Sequence, residues 1–358
     1  MKLSQRLASV VASVSLLTVA LGGCSFVGDA GQAWGIVASD AEKTRKLASV
    51  VSALEGVDGV ESASSDFSAD GPAGDEVQLQ VTVSESFDKE HAWSIATITS
   101  EALDSVELVE AVPLLTLRIE GNAHSVLTRS FFRYSDEQFA EDFAYWRASE
   151  KAVGTELAMS LTEGSITGSY TRTFTAPDDV DAVAAAEHII ENFAALAAVP
   201  DETNNPTIWQ FAGMRSYPSL PSAETIDLLD DIRDTIALVD YSQLPENPGP
   251  DYEYPEGVLL SWNTPFYDAP TSVEVAILQR EYRTADWDAA LVVAALAAGV
   301  PNLTVRYVAG EQQFQVHTSV CAGEIHESSD DQAFYDAALS GGAEFLPGAG
   351  PGACIPEQ

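Results

Sequence analysis

Four side chains suited to a soft metal ion fall within ten residues, His317, Cys321, Glu324 and His326. Thiolate and imidazole together favour zinc or copper. Their spacing matches no closed metal motif, and His317 lies on an alternating strand pattern, so neither a metal ion nor a cofactor is expected. A second concentration of chemistry is carboxylate and phenol. The segment 240–256 sets Glu246, Asp251, Glu253 and Glu256 among prolines with Tyr241, Tyr252 and Tyr254. Loop oxygens suit a hard cation, and tyrosines suit a contact with peptide or glycan, which makes this loop the candidate binding loop. By contrast, Asp227, Asp230, Asp231 and Asp234 recur at helical spacing and read as a solvated face. His188 falls opposite the apolar face formed by Val183, Ala186, Ile190 and Phe193, which leaves it in solvent. His91 and His124 have no partner at a fixed spacing and read as surface or strand-edge residues.

Catalytic signatures are absent from the sequence: there is no HExxH, GxSxG, P-loop, GxGxxG, CxxC or EF-hand loop. Seventeen Lys and Arg against 55 Asp and Glu give a net charge of −38. Such a chain repels phosphate backbones and anionic lipid surfaces, so nucleic acid is excluded as a partner. With 358 residues, 46% of them hydrophobic, it has enough apolar material for two or three packed domains.

The first residues carry an address. Lys2 and Arg6 precede an uncharged run from Leu7 to Leu21, shorter than the ~20 apolar residues a spanning helix needs. The run closes on Leu21-Gly22-Gly23-Cys24, which resembles the lipobox of bacterial lipoproteins. That resemblance implies a signal peptide over 1–23, acyl chains on Cys24 and a short lipidated tether over 24–32, holding the protein to the extracytoplasmic side of the cell membrane. Two or more chains anchor stably, because each buried CH₂ contributes ~0.8 kcal/mol. Scarce lysine and abundant Ala, Asp and Glu resemble proteins of high-GC Gram-positive bacteria. With Cys24 acylated in an oxidising compartment, Cys321 and Cys354 remain as an even pair and are expected to form a disulfide. It would staple a Gly- and Pro-rich tail, 321–358, and in the chain-entropy account contribute on the order of 3–4 kcal/mol.

Between tether and tail, helical and strand periods alternate. Ser39-x-x-Glu42 and Ser135-x-x-Gln138 open helices as capping boxes, Ser222 caps another, and Asp178 or Asp179 is expected to cap a long Ala-rich helix running to Ala198. Strands read at Val60–Phe67, Val77–Val83, Leu115–Ile119 and onward in the order β-α-β-β-α-β. LTLRIEG at 115–121 and LTVRYVAG at 303–310 match, and TIWQFAG at 207–213 keeps the alternation, so strand starts lie 92 and 96 residues apart. The expectation is an α+β fold of three tandem units, 33–122, 123–213 and 214–320. Each resembles the ferredoxin-like plait with an antiparallel sheet.

Small repeated units on a short tether suit a non-catalytic binding or scaffolding role toward an envelope protein, a wall polymer or a cation. A solute-binding lipoprotein of a transporter is the alternative that shares the leader, but it typically has two lobes with parallel sheets. An enzyme would need a carboxylate-based site assembled from separate units.

Overall fold

The computed structural model describes residues 39–71, 74–105, 108, 112–129, 135–163, 170–203, 205–240, 256–263, 272–279, 284–319, 324–326 and 329–355. Within them one theme recurs, a helix followed by a hairpin. α1 (Asp40–Leu54) leads into β1 (Val60–Gly71) and β2 (Gly74–Val83), and α2 (Lys89–Leu103) into β3 (Val112–Ile119) and β4 (Asn122–Arg129). α3 (Asp136–Val153) leads into β5 (Ala158–Glu163) and β6 (Tyr170–Thr175). Next, α4 (Ala182–Glu191) and the short α5 (Phe193–Ala197) precede β7 (Thr207–Phe211) and β8 (Met214–Tyr217). α6 (Ala223–Arg233) precedes β9 (Gly257–Asn263) and β10 (Ser272–Gln279), and α7 (Thr284–Ala297) precedes β11 (Leu303–Ala309) and β12 (Gln312–His317). The chain ends with β13 (Glu324–His326), α8 (Ser329–Ser340), β14 (Gly350–Pro351) and β15 (Ala353–Ile355).

Local chemistry explains where the helices begin. Ser39 closes a complete capping box with Glu42, while Ser135 and Ser222 accept from the backbone amides of Gln138 and Thr225. Asp88 and Asp181 cap α2 and α4 in the same way. The cap of α4 is thus Asp181, not Asp178 or Asp179, because Asp179 takes a left-handed φ of 67° outside the helix. The expected continuous helix to Ala198 also breaks, at Asn192. Its side-chain amide donates to the carbonyls of His188 and Val153, and its backbone leaves helical geometry (φ −110°, ψ 17°).

Thirteen strands form one sheet in the order β1 to β12 followed by β14, so spatial order repeats chain order. Each hairpin is antiparallel, and from β3 to β11 each strand entered from a helix runs parallel to the strand before that helix, as Val81 beside Leu117 and Leu127 beside Met159 show; β14, which follows α8, is antiparallel to β12. The α+β class holds, but the expected antiparallel sheets are corrected to a mixed one. The reason lies in the crossovers: each helix returns the chain to the neighbouring position in the sheet. A ferredoxin-like plait instead leaves a gap for another strand, and the sequential order seen here has none. Sheet pairing and the apolar core continue through 122/123 and 213/214, where β3–β4 and β7–β8 turn tightly.

Alternation along the strands sends one side chain in two toward the helices. Val81, Leu117, Leu127, Met159, Phe174 and Trp209 form one in-register row on that face, all buried, and Phe174 stacks on Trp209 at 4.2 Å. Leu47, Ile95, Phe143, Ile189, Leu229 and Val293, from six helices, pack into the same core. At roughly 1.5–3 kcal/mol for each large side chain, this shared face is the dominant stabilising contribution. The stretch expected as a stapled Gly- and Pro-rich tail contains α8, whose Phe334 packs at 5.3 Å against Trp287 of α7. Among the described residues no helix is long and apolar enough to cross a membrane.

Candidate binding face

The face of the sheet turned away from the helices has a different composition. Ser64, Gln80, Thr116, Thr128, Ser160 and Thr173 stand in register on six consecutive strands, β1 to β6. With neighbouring strands about 4.8 Å apart, this is a line of hydroxyls and one amide about 24 Å long. Ser64 and Gln80 are exposed, Thr128, Ser160 and Thr173 half-buried, and Thr116 is nearly covered. A parallel row one pleat away runs Ser62, Thr82, Arg118, Val126, Ala158, Thr175, Gln210 and Arg215. Farther along, Arg306 on β11 pairs with Glu274 on β10 at 2.6 Å. Near these strands the face closes, since Ala276 and Leu278 are buried and Val308 packs with them. Its open part is therefore β1 to β8. In the first row, neutral donors and acceptors at a fixed repeat can hydrogen-bond an extended molecule at several points at once, while Arg118, Arg215 and Asp66 add charges beside it.

Beneath that face sits the most elaborate polar cluster of the described residues. Arg172, on β6 but pointing to the helix side, is 1% exposed. Its Nε donates to Thr207 Oγ1 at 2.9 Å, and Nη1 donates to Asp142 Oδ1 at 3.1 Å and Asp201 Oδ1 at 2.9 Å. Nη2 donates to the Asn205 carbonyl at 2.8 Å and to the second oxygen of Asp201, and the guanidinium lies 4.5 Å from the centre of the Tyr145 ring. Thr203 also donates to Asp142, at 3.1 Å. Burial pushes the Asp142 carboxyl up to about 6 against the pull of Arg172, and pushes Tyr145 up to about 12. On β4, burial lowers Arg129 to about 10, opposed by Asp136; its guanidinium lies 5.3 Å from the Phe139 ring. Glu150 accepts from the Ser125 hydroxyl at 2.5 Å and the Leu157 amide at 3.0 Å, and burial raises its pKa. With every polar contact of Arg172 to protein, this cluster positions: it ties α3, the 201–205 loop, β6 and β7 into one rigid backing.

No family model matches this chain, and neither a curated protein nor a solved structure matches it. Of the expected site residues, Cys24, Cys321, Tyr241, Glu246, Asp251, Tyr252, Glu253 and Tyr254 lie outside the described residues. Glu256 is exposed at the entry to β9. Cys354 stands in β15 opposite Ile325, four residues past Cys321. His317 is buried, its Nδ1 at 2.9 Å from Thr304 Oγ1, and burial lowers its pKa. Among the described residues no group of three or more His, Cys, Asp and Glu could hold a metal ion. His188 and the acidic stripe Asp227, Asp230, Asp231 and Asp234 face solvent as expected. His91 does have a partner: its Nδ1 lies 2.6 Å from Asp88, the residue capping the same helix.

Sequence reasoning missed the hydroxyl line. Their signal is present in Thr171-x-Thr173-x-Thr175 and Gln78-x-Gln80-x-Thr82, where polar residues alternate with buried ones. A row, however, exists only once six strands are aligned.

Proposed function

We propose that this chain is a lipid-anchored, extracytoplasmic envelope protein whose open sheet face binds a neutral, hydroxyl-rich wall polymer without turning it over. The observation that carries this reading is the in-register line from Ser64 to Thr173. Uncharged hydrogen-bonding groups repeated every strand favour a polymer with repeating polar groups over a protein, whose contacts need large apolar or aromatic anchors. The balance of −38 disfavours a polyanion. A transporter's solute-binding protein is less well supported, because the described residues form one continuous sheet with helices on one face and not two separate lobes. Anchoring by Cys24 rests on the Leu21-Gly22-Gly23-Cys24 motif. The proposed Cys321–Cys354 disulfide rests on the two cysteines left over in an oxidising compartment; the β13–β15 register places Ile325 opposite Cys354. The segments 33–122, 123–213 and 214–320 we read as copies of one duplicated element. Ser39, Ser135 and Ser222 cap their first helices, and the left-handed turn glycines Gly121, Gly213 and Gly310 lie 92 and 97 residues apart.

The test is cosedimentation of the full chain with isolated wall polysaccharide. Replacing Thr128 and Thr173 by valine keeps volume and β propensity while removing two hydroxyls of the line. The double variant should fold normally and lose most of its retention. Retention equal to the parent would overturn the proposed face, and release of shortened polymer by the parent would overturn the non-catalytic reading. Cys24→Ala should separately leave the protein unanchored; equal membrane retention would overturn the anchor.

A further inference from the structure

One helix departs from the acidic surface of its layer. α7 reads Thr-Ala-Asp-Trp-Asp-Ala-Ala-Leu-Val-Val-Ala-Ala-Leu-Ala, and beyond Asp288 it has no polar side chain. A helix apolar all round is ordinarily enclosed. This one is enclosed on one side only: Ala290, Val293, Ala294 and Ala297 are buried in the core, whereas Val292 is 47% and Leu296 39% exposed. With exposed Ala285 and half-buried Ala289 these two make a stripe at i, i+4, i+7 and i+11 spacing, the pattern by which one helix receives another.

The flanks define what fits. α7 packs between α6 and α8. Outward from α6 stand Glu224, Asp227, Asp230 and Asp231, and outward from α8 stand Asp330 and Asp336, all exposed; Asp288 lies at the head of the stripe itself. Arg233, paired with Asp230 at 2.7 Å, is the single cation on these three helices, and no lysine or arginine occurs from 307 to 358. An anionic lipid surface would meet this fringe with like charge. A second copy docked by the same face would set carboxylate against carboxylate. The fitting partner has the opposite pattern.

We propose that the outward stripe of α7 is a docking site for an amphipathic helix whose apolar face is bordered by lysine or arginine. Val292 and Leu296 supply the apolar anchors. The alanines let the two backbones approach closely, and the carboxylates of α6 and α8 steer and orient the incoming helix. This surface is on the opposite side of the molecule from the hydroxyl line, so the two contacts are independent.

The test uses the full chain and a synthetic fourteen-residue Leu/Lys peptide of helical amphipathic pattern, with a scrambled peptide of identical composition as control. Binding is followed by fluorescence anisotropy. The patterned peptide should bind the parent about tenfold more tightly than the scrambled one, and Val292→Ser with Leu296→Ser should abolish that difference. Asp288→Asn with Asp336→Asn should weaken the salt dependence while leaving the preference for the patterned peptide. Equal binding of both peptides, or a preference unchanged in the serine variant, would overturn the proposal. A self-dimer of the parent, or its adsorption to zwitterionic vesicles, would also overturn it if either is lost on serine substitution, by assigning the stripe to a second copy or to lipid.

Discussion

Arg172 illustrates how single residues are held in this protein. Its guanidinium is fully enclosed and shared between Asp142 and Asp201, so deleting it strands the Asp142 carboxyl in a site with no exposure. Arg172→Met should therefore destabilise the fold by on the order of 3–5 kcal/mol, read from urea unfolding. Asp142 behaves differently. Unfolded, it titrates near the ordinary value of 3.8; folded, it titrates near 6, because burial outweighs the attraction of Arg172. Between those values the native state holds a proton that the unfolded chain has released, so this group's contribution to stability falls as pH rises through that window. Asp142→Asn is neutral at every pH. The stability of the variant relative to the parent should consequently improve from about pH 4 to about pH 7. A constant difference across that range would refute the raised carboxyl.

Helix ends and turns set the energetics of the elements. Ser39→Ala and Ser135→Ala each remove an amide acceptor at an N-cap and should cost about 1 kcal/mol by thermal or urea unfolding. Gly121 and Gly257 both have positive φ, at 74° and 151°, but their surroundings differ. A Cβ at Gly121 meets open space, whereas at Gly257 it would lie 2.2 Å from the Ala237 carbonyl oxygen. Gly121→Ala should cost about 1–2 kcal/mol from backbone strain alone, and Gly257→Ala clearly more, with a correspondingly larger fall in Tm. The same distinction between local and non-local causes governs what the sequence discloses. Caps at Ser39, Ser135 and Ser222, the alternation of β11, and the exposure of His188 depend on near neighbours and are legible. That β2 lies parallel to β3 depends on where α2 returns the chain, and no residue in either strand records it. The hydroxyl line is one step further removed, being a property of the assembled sheet. α8 escaped notice because flanking glycines and prolines mask its short apolar spacing, Phe334 to Ala338.

On the scale of the whole molecule, helix–hairpin units contact mainly their immediate neighbours, as in solenoid proteins. Stability should then be graded along the array. Amide exchange ought to be fastest in the two edge strands, β1 and β14, and slowest in the central β5 to β7; uniform protection across the sheet would contradict a neighbour-coupled array. The agreement between strand order and chain order has a further consequence for biogenesis. On the export route proposed above the polypeptide emerges amino end first, and every new hairpin would find its partner strand already outside. Among the described strands nothing synthesised later is needed to complete what came before, since no late strand inserts between early ones. Export and folding can advance together like a row of tiles laid from one wall, the exposed edge moving forward by two strands with each unit delivered.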